Sequence, residues 1–567
     1  MNKNHDMNAQ CAQPQLSRSQ LAFRIGLARQ RTAAYPLHKL DFIMMDLERP
    51  DHSHRHADWC VGDLSGRVLE FLSCADGIDG TNDPRLQELF ERILRTRRPS
   101  GLFGRYASQY TACKDEPEKH VMSGCHRLFN GLIKYFERTN DYRALDGAVG
   151  LGDWFVRNKD EWRKLYGDWQ DCGIHFWITE PLANLYRWTG EMKYLDMAAM
   201  IMEPWKRIDF NHSHGLLTTL RGLQLAAIYT GDNGWNEKPE RVRRTIIDQC
   251  YEMPDGCIAE TLPHSFRNEG CAIADWLMLN LNAGFISGQD EAYAKAENIL
   301  WNALFFNQFV TGGFGHRDLS PHGYLMGPVS ECWWCCTENG GLAMTEYARH
   351  AVTLRGNTVQ INALVPGTFT LARRQGAPIV VTVGTNYPSA ATAVIRVNNL
   401  PEGFEVQVRT PSCIKNAGLT KHPTASALEI RLTGQVGHTI EPYQDKVILK
   451  YGPAILAPMI YYWDAQAWGN EKSNAPPGYI PTVLPAGLPR LEAPGENQDG
   501  FQAFSATPWP DWSYFETGPD AELSIEGASA HVNLVFDNGQ KQTLWFSPMC
   551  HLTSDMSYYE TPILFKK

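Results

Sequence analysis

The chain has 567 residues, too many for one small domain and enough for about four units of ~150 residues, or for one large toroid with β modules attached. Lys and Arg total 53 against 63 Asp and Glu, a net charge of −10, and the densest basic run is Arg95-Thr96-Arg97-Arg98; a nucleic-acid binder reading phosphates through a basic face is excluded on that balance. Hydrophobic residues at 43% and aromatic ones at 11% suit a large buried core, with some of the 17 Trp and 22 Tyr free to stack on sugar rings.

Residues 1–18 are polar, carry Lys3, His5, Asp6 and Arg18, and contain no apolar run of export-signal length, so they read as a polar tail. No window approaches the ~18 apolar residues of a membrane span, so no membrane partner is expected. The 14 Cys lack framework spacing and read as reduced thiols of a cytoplasmic protein.

From Ser19 to Arg355 apolar residues recur at helical spacing, as in Leu128, Phe129, Leu132, Ile133 and Phe136. A weak repeat organises this half: Phe136-Glu-Arg-Thr-Asn-Asp-Tyr-Arg-Ala-Leu-Asp146 aligns with Tyr186-Arg-Trp-Thr-Gly-Glu-Met-Lys-Tyr-Leu-Asp196, with shorter echoes at Tyr229-Thr-Gly-Asp232 and Ile286-Ser-Gly-Gln-Asp-Glu-Ala-Tyr293. Each unit reads as one helix ending at a Thr/Ser-Gly/Asn turn and a second amphipathic helix beginning, an αα-hairpin that closes with its copies into an (α/α) toroid. Counting back 13 to 16 residues from each turn reaches His126, His175, His214 and Cys271, all expected at helix starts around one mouth of the barrel.

Within the same half, Glu260-Thr-Leu-Pro-His-Ser-Phe-Arg-Asn-Glu269-Gly-Cys271 and Glu331-Cys332-Trp-Trp-Cys335-Cys336-Thr-Glu338-Asn339 gather carboxylates and thiols. Vicinal cysteines before a Gly-containing helix start favour thiolates through the helix dipole and free N–H groups. Glu269, Cys271, Cys335 and Cys336 would make a tetrahedral zinc site of three sulfurs and one oxygen; Cys332-x-x-Cys335 is a rival pair, and Cys257 is a further candidate ligand.

After Gly356 the texture changes to runs such as Ile379-Val-Val-Thr-Val, Ala393-Val-Ile-Arg-Val and Leu428-Glu-Ile-Arg-Leu, strands of a β-sandwich over 356–467. Trp468 to Asp499 is rich in Gly, Pro and Asn and reads as a linker, and runs such as His531-Val-Asn-Leu-Val-Phe suggest a second, smaller β module completing 468–567. The expected layout is therefore a tail over 1–18, a toroid over 19–355 and two β units, a multidomain α plus β chain.

The pieces Asn268-Glu-Gly-Cys-Ala272, Cys335-Cys336-Thr-Glu-Asn339, Asn362-Ala-Leu-Val-Pro366, Asn386-Tyr-Pro388 and Tyr451-Gly-Pro453 resemble, in order, landmarks of the β-L-arabinofuranosidase family, glycoside hydrolase family 127 and its relatives. The resemblance runs from roughly His126 to Pro453 and implies an (α/α)6 barrel followed by β-sandwich modules. It implies Zn²⁺ held by Glu269, Cys271, Cys335 and Cys336, Cys335 as nucleophile, Glu260 as general acid/base, and His126, His175 and His214 in contact with substrate. A retaining, exo-acting hydrolase of a glycoside or oligosaccharide follows, compatible with a homo-oligomer. The chain departs from the family where Gly270 stands in a Glu-Thr-Cys motif and where Thr337-Glu338 replace prolines. The interval from Glu260 to Glu269 is shorter than usual, which keeps Glu252 and Glu331 as rival acids. Two other readings compete: a toroidal sugar epimerase or polysaccharide lyase using His, Tyr or Glu, and a non-catalytic carbohydrate-binding protein in which zinc ties helices together.

Overall fold

A computed structural model of the chain describes residues 9–49, 61–104, 118–160, 178–202, 212–325, 330–373, 375–424, 427–458, 489–492, 525, 527–528, 530–551 and 560–567. His175 and most of 459–524, including all of the expected linker but 489–492, lie outside the described residues; within it Arg490–Leu491 is a strand. No helix among the described residues is long and apolar enough to cross a membrane.

The helical half contains α1 (Gln20–Thr32), α2 (Leu40–Glu48), α3 (Asp63–Ala75), α4 (Leu86–Arg95), α5 (Glu118–Thr139), α6 (Tyr142–Arg157), α7 (Thr179–Thr189), α8 (Met192–Met202), α9 (Ser213–Thr230), α10 (Glu237–Asp248), α11 (Gly270–Ser287), α12 (Asp290–Asn298) and α13 (Cys336–His350). Helices α3, α5, α7, α9, α11 and α13 pack side by side in that order, and α13 returns to α3, so they close a ring. The burial pattern agrees with position. Every residue of α3 except Cys74 is buried, as is α11 from Gly270 to Phe285, because an inner helix is covered on all faces. The outer α4 buries only the stripe Leu86, Leu89, Phe90 and Ile93.

One device ends four of the helices. The hydroxyls of Thr139, Thr189, Thr230 and Ser287 each donate to the carbonyl four residues back and accept the N–H two residues on. Between them Asn140, Gly190, Gly231 and Gly288 hold φ of 59°, 74°, 73° and 71°, the left-handed conformation that reverses the chain at least cost for Gly and Asn. The repeat in the sequence is this turn.

The helical texture ends earlier than Arg355, since Val352–Arg355 is already a strand. The residues read as a polar tail are structured from Ala9 on: Ala9–Cys11 pairs with Val352–Arg355 in a four-stranded sheet, and Gln13–Leu16 pairs with Gly367–Leu371 as the edge of a six-stranded one. These two sheets contain Thr358–Ile361, Ile379–Thr385, Ala393–Asn398, Glu405–Val408, Lys415–Pro423 and Ala427–Gln435. A seven-stranded sheet joins His438–Tyr443, Lys446–Tyr451 and Ala454–Pro458 to strands drawn from residues 490 to 566. The strands after residue 489 thus extend a sheet begun at His438.

Candidate active site

The starts of three inner helices meet at one end of the ring. Glu269 is the N-cap of α11 and Cys271 its second residue; Cys335 is the N-cap of α13 and Cys336 its first residue; His212 caps α9. Neither Glu269 nor Cys335 spends its side chain on capping its own helix. Both turn to a common point instead: one donor atom from each of Glu269, Cys271, Cys335 and Cys336 lies within 4.8 Å of every other, and all four residues are buried. The Cys271 and Cys336 sulfurs are 3.5 Å apart and those of Cys335 and Cys336 3.6 Å. A tetrahedral ion with sulfur at about 2.3 Å needs sulfurs about 3.8 Å apart, so the quartet fits Zn²⁺ in donor type and in spacing.

The three thiols are not equivalent. Hydrogen bonds from Cys271, Cys332 and Cys336 draw the Cys335 thiol well below the usual thiol range against the cost of burial, with the Arg67 guanidinium acting in the same direction. Burial instead pushes Cys271 and Cys336 well above that range. Of the three thiols, Cys335 is thus the one whose surroundings favour the thiolate. Glu269 is held below the usual carboxylate range: burial opposes ionisation, and His212, whose Nε2 lies 3.3 Å from Oε2, overcomes it. His212 in turn is raised, burial being outweighed by Glu269, Glu260 and Cys335.

Around the quartet, four short segments are stitched by backbone pairing. His212 bridges Thr261, Ala259 bridges Asn268 and Arg267 bridges Asp318. This brings Glu260 next to His212 and Ser213, whose N–H donates to the Glu260 carbonyl at 2.8 Å. The Glu260 carboxylate is forked by Arg267, which donates from Nε and, at 2.9 Å, from Nη2. His316 Nε2 lies 3.7 Å from Glu260 Oε1, the oxygen that also accepts from Arg267 Nη2. The rival carboxylates are engaged elsewhere. Glu252 accepts from Trp276 Nε1 at 2.9 Å and from Lys295, and Glu331 from Arg31 and from Thr311 at 3.1 Å.

His126 lies within α5 and is sealed from solvent. His214, second residue of α9, is also buried; its Nδ1 pairs with Asp275, which also accepts from Thr218 at 2.9 Å and pairs with Arg221. Burial lowers His214 in spite of Asp275, and His214, Arg221 and Arg127 together hold Asp275 well below its usual range. His214 is thus bound into a charged network along the ring's interior. The histidine with open space beside it is His212, 23% exposed in its side chain. Sequence reading passed over His212 for its neighbour two positions on; their difference is a tertiary one, since only His214 reaches Asp275.

The departures at Thr337 and Glu338 have visible roles. The Thr337 N–H donates to the Cys332 carbonyl at 3.2 Å, a bond a proline could not make, and its hydroxyl accepts from the Phe314 N–H. Glu338 is buried beside Arg67 and Arg127, and burial raises its carboxyl well above the usual range.

Residues 99–346 match the sequence family described as β-L-arabinofuranosidase, GH127 catalytic domain. No curated protein matches the sequence. Among solved structures, a GH127 β-arabinofuranosidase superposes with a TM-score of 0.66 at 13% identity, covering 100% of this chain and 98% of the other. A second structure, of a glycoside hydrolase, gives 0.66 at 13% identity, covering 99% of each chain. A GH127 β-L-arabinofuranosidase from Geobacillus stearothermophilus T6 gives 0.63 at 13% identity, covering 98% of this chain and 100% of the other. At that identity the structures speak for the fold, a helical toroid followed by β-sandwich sheets.

Proposed function

Residues 99–346 belong to glycoside hydrolase family 127 and the chain is a glycoside hydrolase; from that premise we propose that it removes a terminal β-L-arabinofuranose, or a related sugar, with retention of configuration, Cys335 acting as nucleophile and Glu260 as acid/base. The epimerase, lyase and non-catalytic readings fall away with the family. The observation that carries the proposal is the convergence of Glu269, Cys271, Cys335 and Cys336 in one buried quartet of donors at the starts of α11 and α13.

Glu269, Cys271, Cys335 and Cys336 would hold the zinc ion, which when bound supplies the positive charge that keeps buried thiolates and a carboxylate ionised together. In the first step the Cys335 sulfur bonds to the anomeric carbon as the bond to the leaving oxygen breaks and Glu260 gives that oxygen its proton. In the second, Glu260 takes a proton from water as the water oxygen attacks the anomeric carbon, and the carbon–sulfur bond breaks to return the thiolate. Two inversions give net retention. His212 and Trp side chains near the Cys pair would seat one terminal sugar, which favours exo cleavage.

The test combines metal content by elemental mass spectrometry with hydrolysis of 4-nitrophenyl β-L-arabinofuranoside. Wild type should carry one zinc per chain. Cys335→Ser/Cys336→Ser should lose the metal. Glu260→Gln should keep it and lose turnover by about a hundredfold or more. A folded wild type without zinc, or full activity in Cys335→Ala, rejects the proposal.

A further inference from the structure

The Glu260 carboxyl has two nitrogen-bearing neighbours of different character, the Arg267 guanidinium and the His316 imidazole, and only the second is built into the fold. Arg267 is 39% exposed in its side chain and reaches Glu260 from the open side. His316 is 16% exposed and fixed from three directions. Gly315–His316 pairs with Ser330–Glu331, so the hairpin that ends in the Cys332–Cys336 segment also sets the height of the ring. The Cys332 N–H donates to the Phe314 carbonyl at 2.8 Å, locking the two strands beside the imidazole. Finally, Cys332 Sγ lies 3.1 Å from His316 Nδ1, and Ser330 Oγ 3.4 Å from the same nitrogen.

Cys332 stands outside the quartet of metal donors. Its single thiol hydrogen is engaged by Cys335, so the group placed to offer a hydrogen to Nδ1 is the Ser330 hydroxyl, with the Cys332 sulfur packed against the same nitrogen. The proton of a neutral imidazole then sits on Nε2, the atom that faces Glu260. A donor at 3.7 Å is short of a hydrogen bond, and such contacts in a free enzyme close when substrate arrives.

We propose that His316, its tautomer set by Ser330 and its ring held against Cys332, is a positioning residue for Glu260: it holds the acid/base carboxyl towards the glycosidic oxygen once the incoming leaving group displaces Arg267. The inference rests on Glu260 being the acid/base. Without His316 the carboxyl stays forked by Arg267, which draws it away from the sugar. With His316 in place, Nε2–H binds one carboxyl oxygen and leaves the other to give and take the proton. Neither residue has to change partner during the two steps.

A leaving-group series separates this role from a structural one. Aryl β-L-arabinofuranosides of graded phenol acidity are compared through kcat/KM, because acid assistance matters for poor leaving groups and little for good ones. In His316→Ala, kcat/KM should fall about a hundredfold for the phenyl glycoside and less than about threefold for the 2,4-dinitrophenyl one. His316→Gln, which keeps a donor, should recover most of the loss, and Glu260→Gln should show the same steepened dependence. An equal loss across the series in His316→Ala, with Glu260→Gln still steepened, overturns the proposal and leaves the acid/base reading standing. An unsteepened Glu260→Gln overturns both.

Discussion

Gly270 sits between two donors of the quartet, and its lack of a side chain is a packing requirement. A Cβ there would lie 2.8 Å from Asn307 Oδ1, 3.1 Å from Cys336 Cβ and 3.2 Å from Phe314 Cβ. This gives a physical reason for the departure from Glu-Thr-Cys: α13 approaches so closely that threonine has no room. Gly270→Ala should therefore push Cys336 out of register and weaken zinc retention about tenfold or more, read by competition with a chromogenic chelator. Unchanged affinity would show that the quartet tolerates movement of α13. At this scale the sequence was informative where chemistry coincides with a helix start, as with Glu269, Cys271, Cys335 and Cys336. It was silent on His212 against His214 and on His316, because their roles follow from Asp275 and from a hairpin that appear only in three dimensions.

Helices α3 and α5 pack tightly in the ring, and Gly66 allows it. A Cβ at Gly66 would overlap the backbone of Arg127 and Leu128, so the two helices meet backbone to backbone. That approach places Arg127 where it reaches Glu70 at 3.3 Å and Asn339 at 3.2 Å, on the wall below the site. Gly66→Ala should cost about 3 kcal/mol or more by forcing the helices apart, seen as a melting transition several degrees lower. Gly231→Ala is the control: no atom lies within 4 Å, so only its left-handed φ of 73° is strained and the loss should stay near 1 kcal/mol. The helical hairpins were legible in the sequence because their turns reuse one hydroxyl and one Gly or Asn. The strands Ala9–Cys11 and Gln13–Leu16 were not: Gln13-Pro-Gln-Leu16 is polar and interrupted by proline, as an edge strand tolerates, and nothing local names a partner beyond residue 350.

Across the whole molecule the two ends of the ring are held differently. The helix starts carry the thiol and carboxylate quartet, whereas the far ends of α5, α7 and α13 carry an ion cluster. There Glu137 meets Lys134 at 3.2 Å and Arg187 at 3.2 Å, and Glu346 meets Arg349 at 3.4 Å and Lys134 at 4.0 Å. Burial opposes ionisation of both carboxyls, yet Lys134 with Arg187 brings Glu137 to about 2, and Arg349 with Lys134 brings Glu346 to about 2. A depressed carboxyl stabilises the fold above its unfolded value of ~4.5 and loses that contribution as pH falls towards ~2, on the order of 3 kcal/mol for each. Melting temperature should accordingly drop through that window, and Glu137→Gln/Glu346→Gln should melt lower at pH 7 with a shallower acid limb; an acid limb identical to wild type would place the sensitivity elsewhere. The pairing of Gln13–Leu16 with Gly367–Leu371 has a consequence in time. The partner strand leaves the ribosome about 350 residues later, roughly 20 to 70 s at ordinary synthesis rates, while each helical hairpin finds its neighbour almost at once. One of the first strands made thus waits until the β region is being synthesised, and its glutamines and proline keep it from recruiting other chains while it waits.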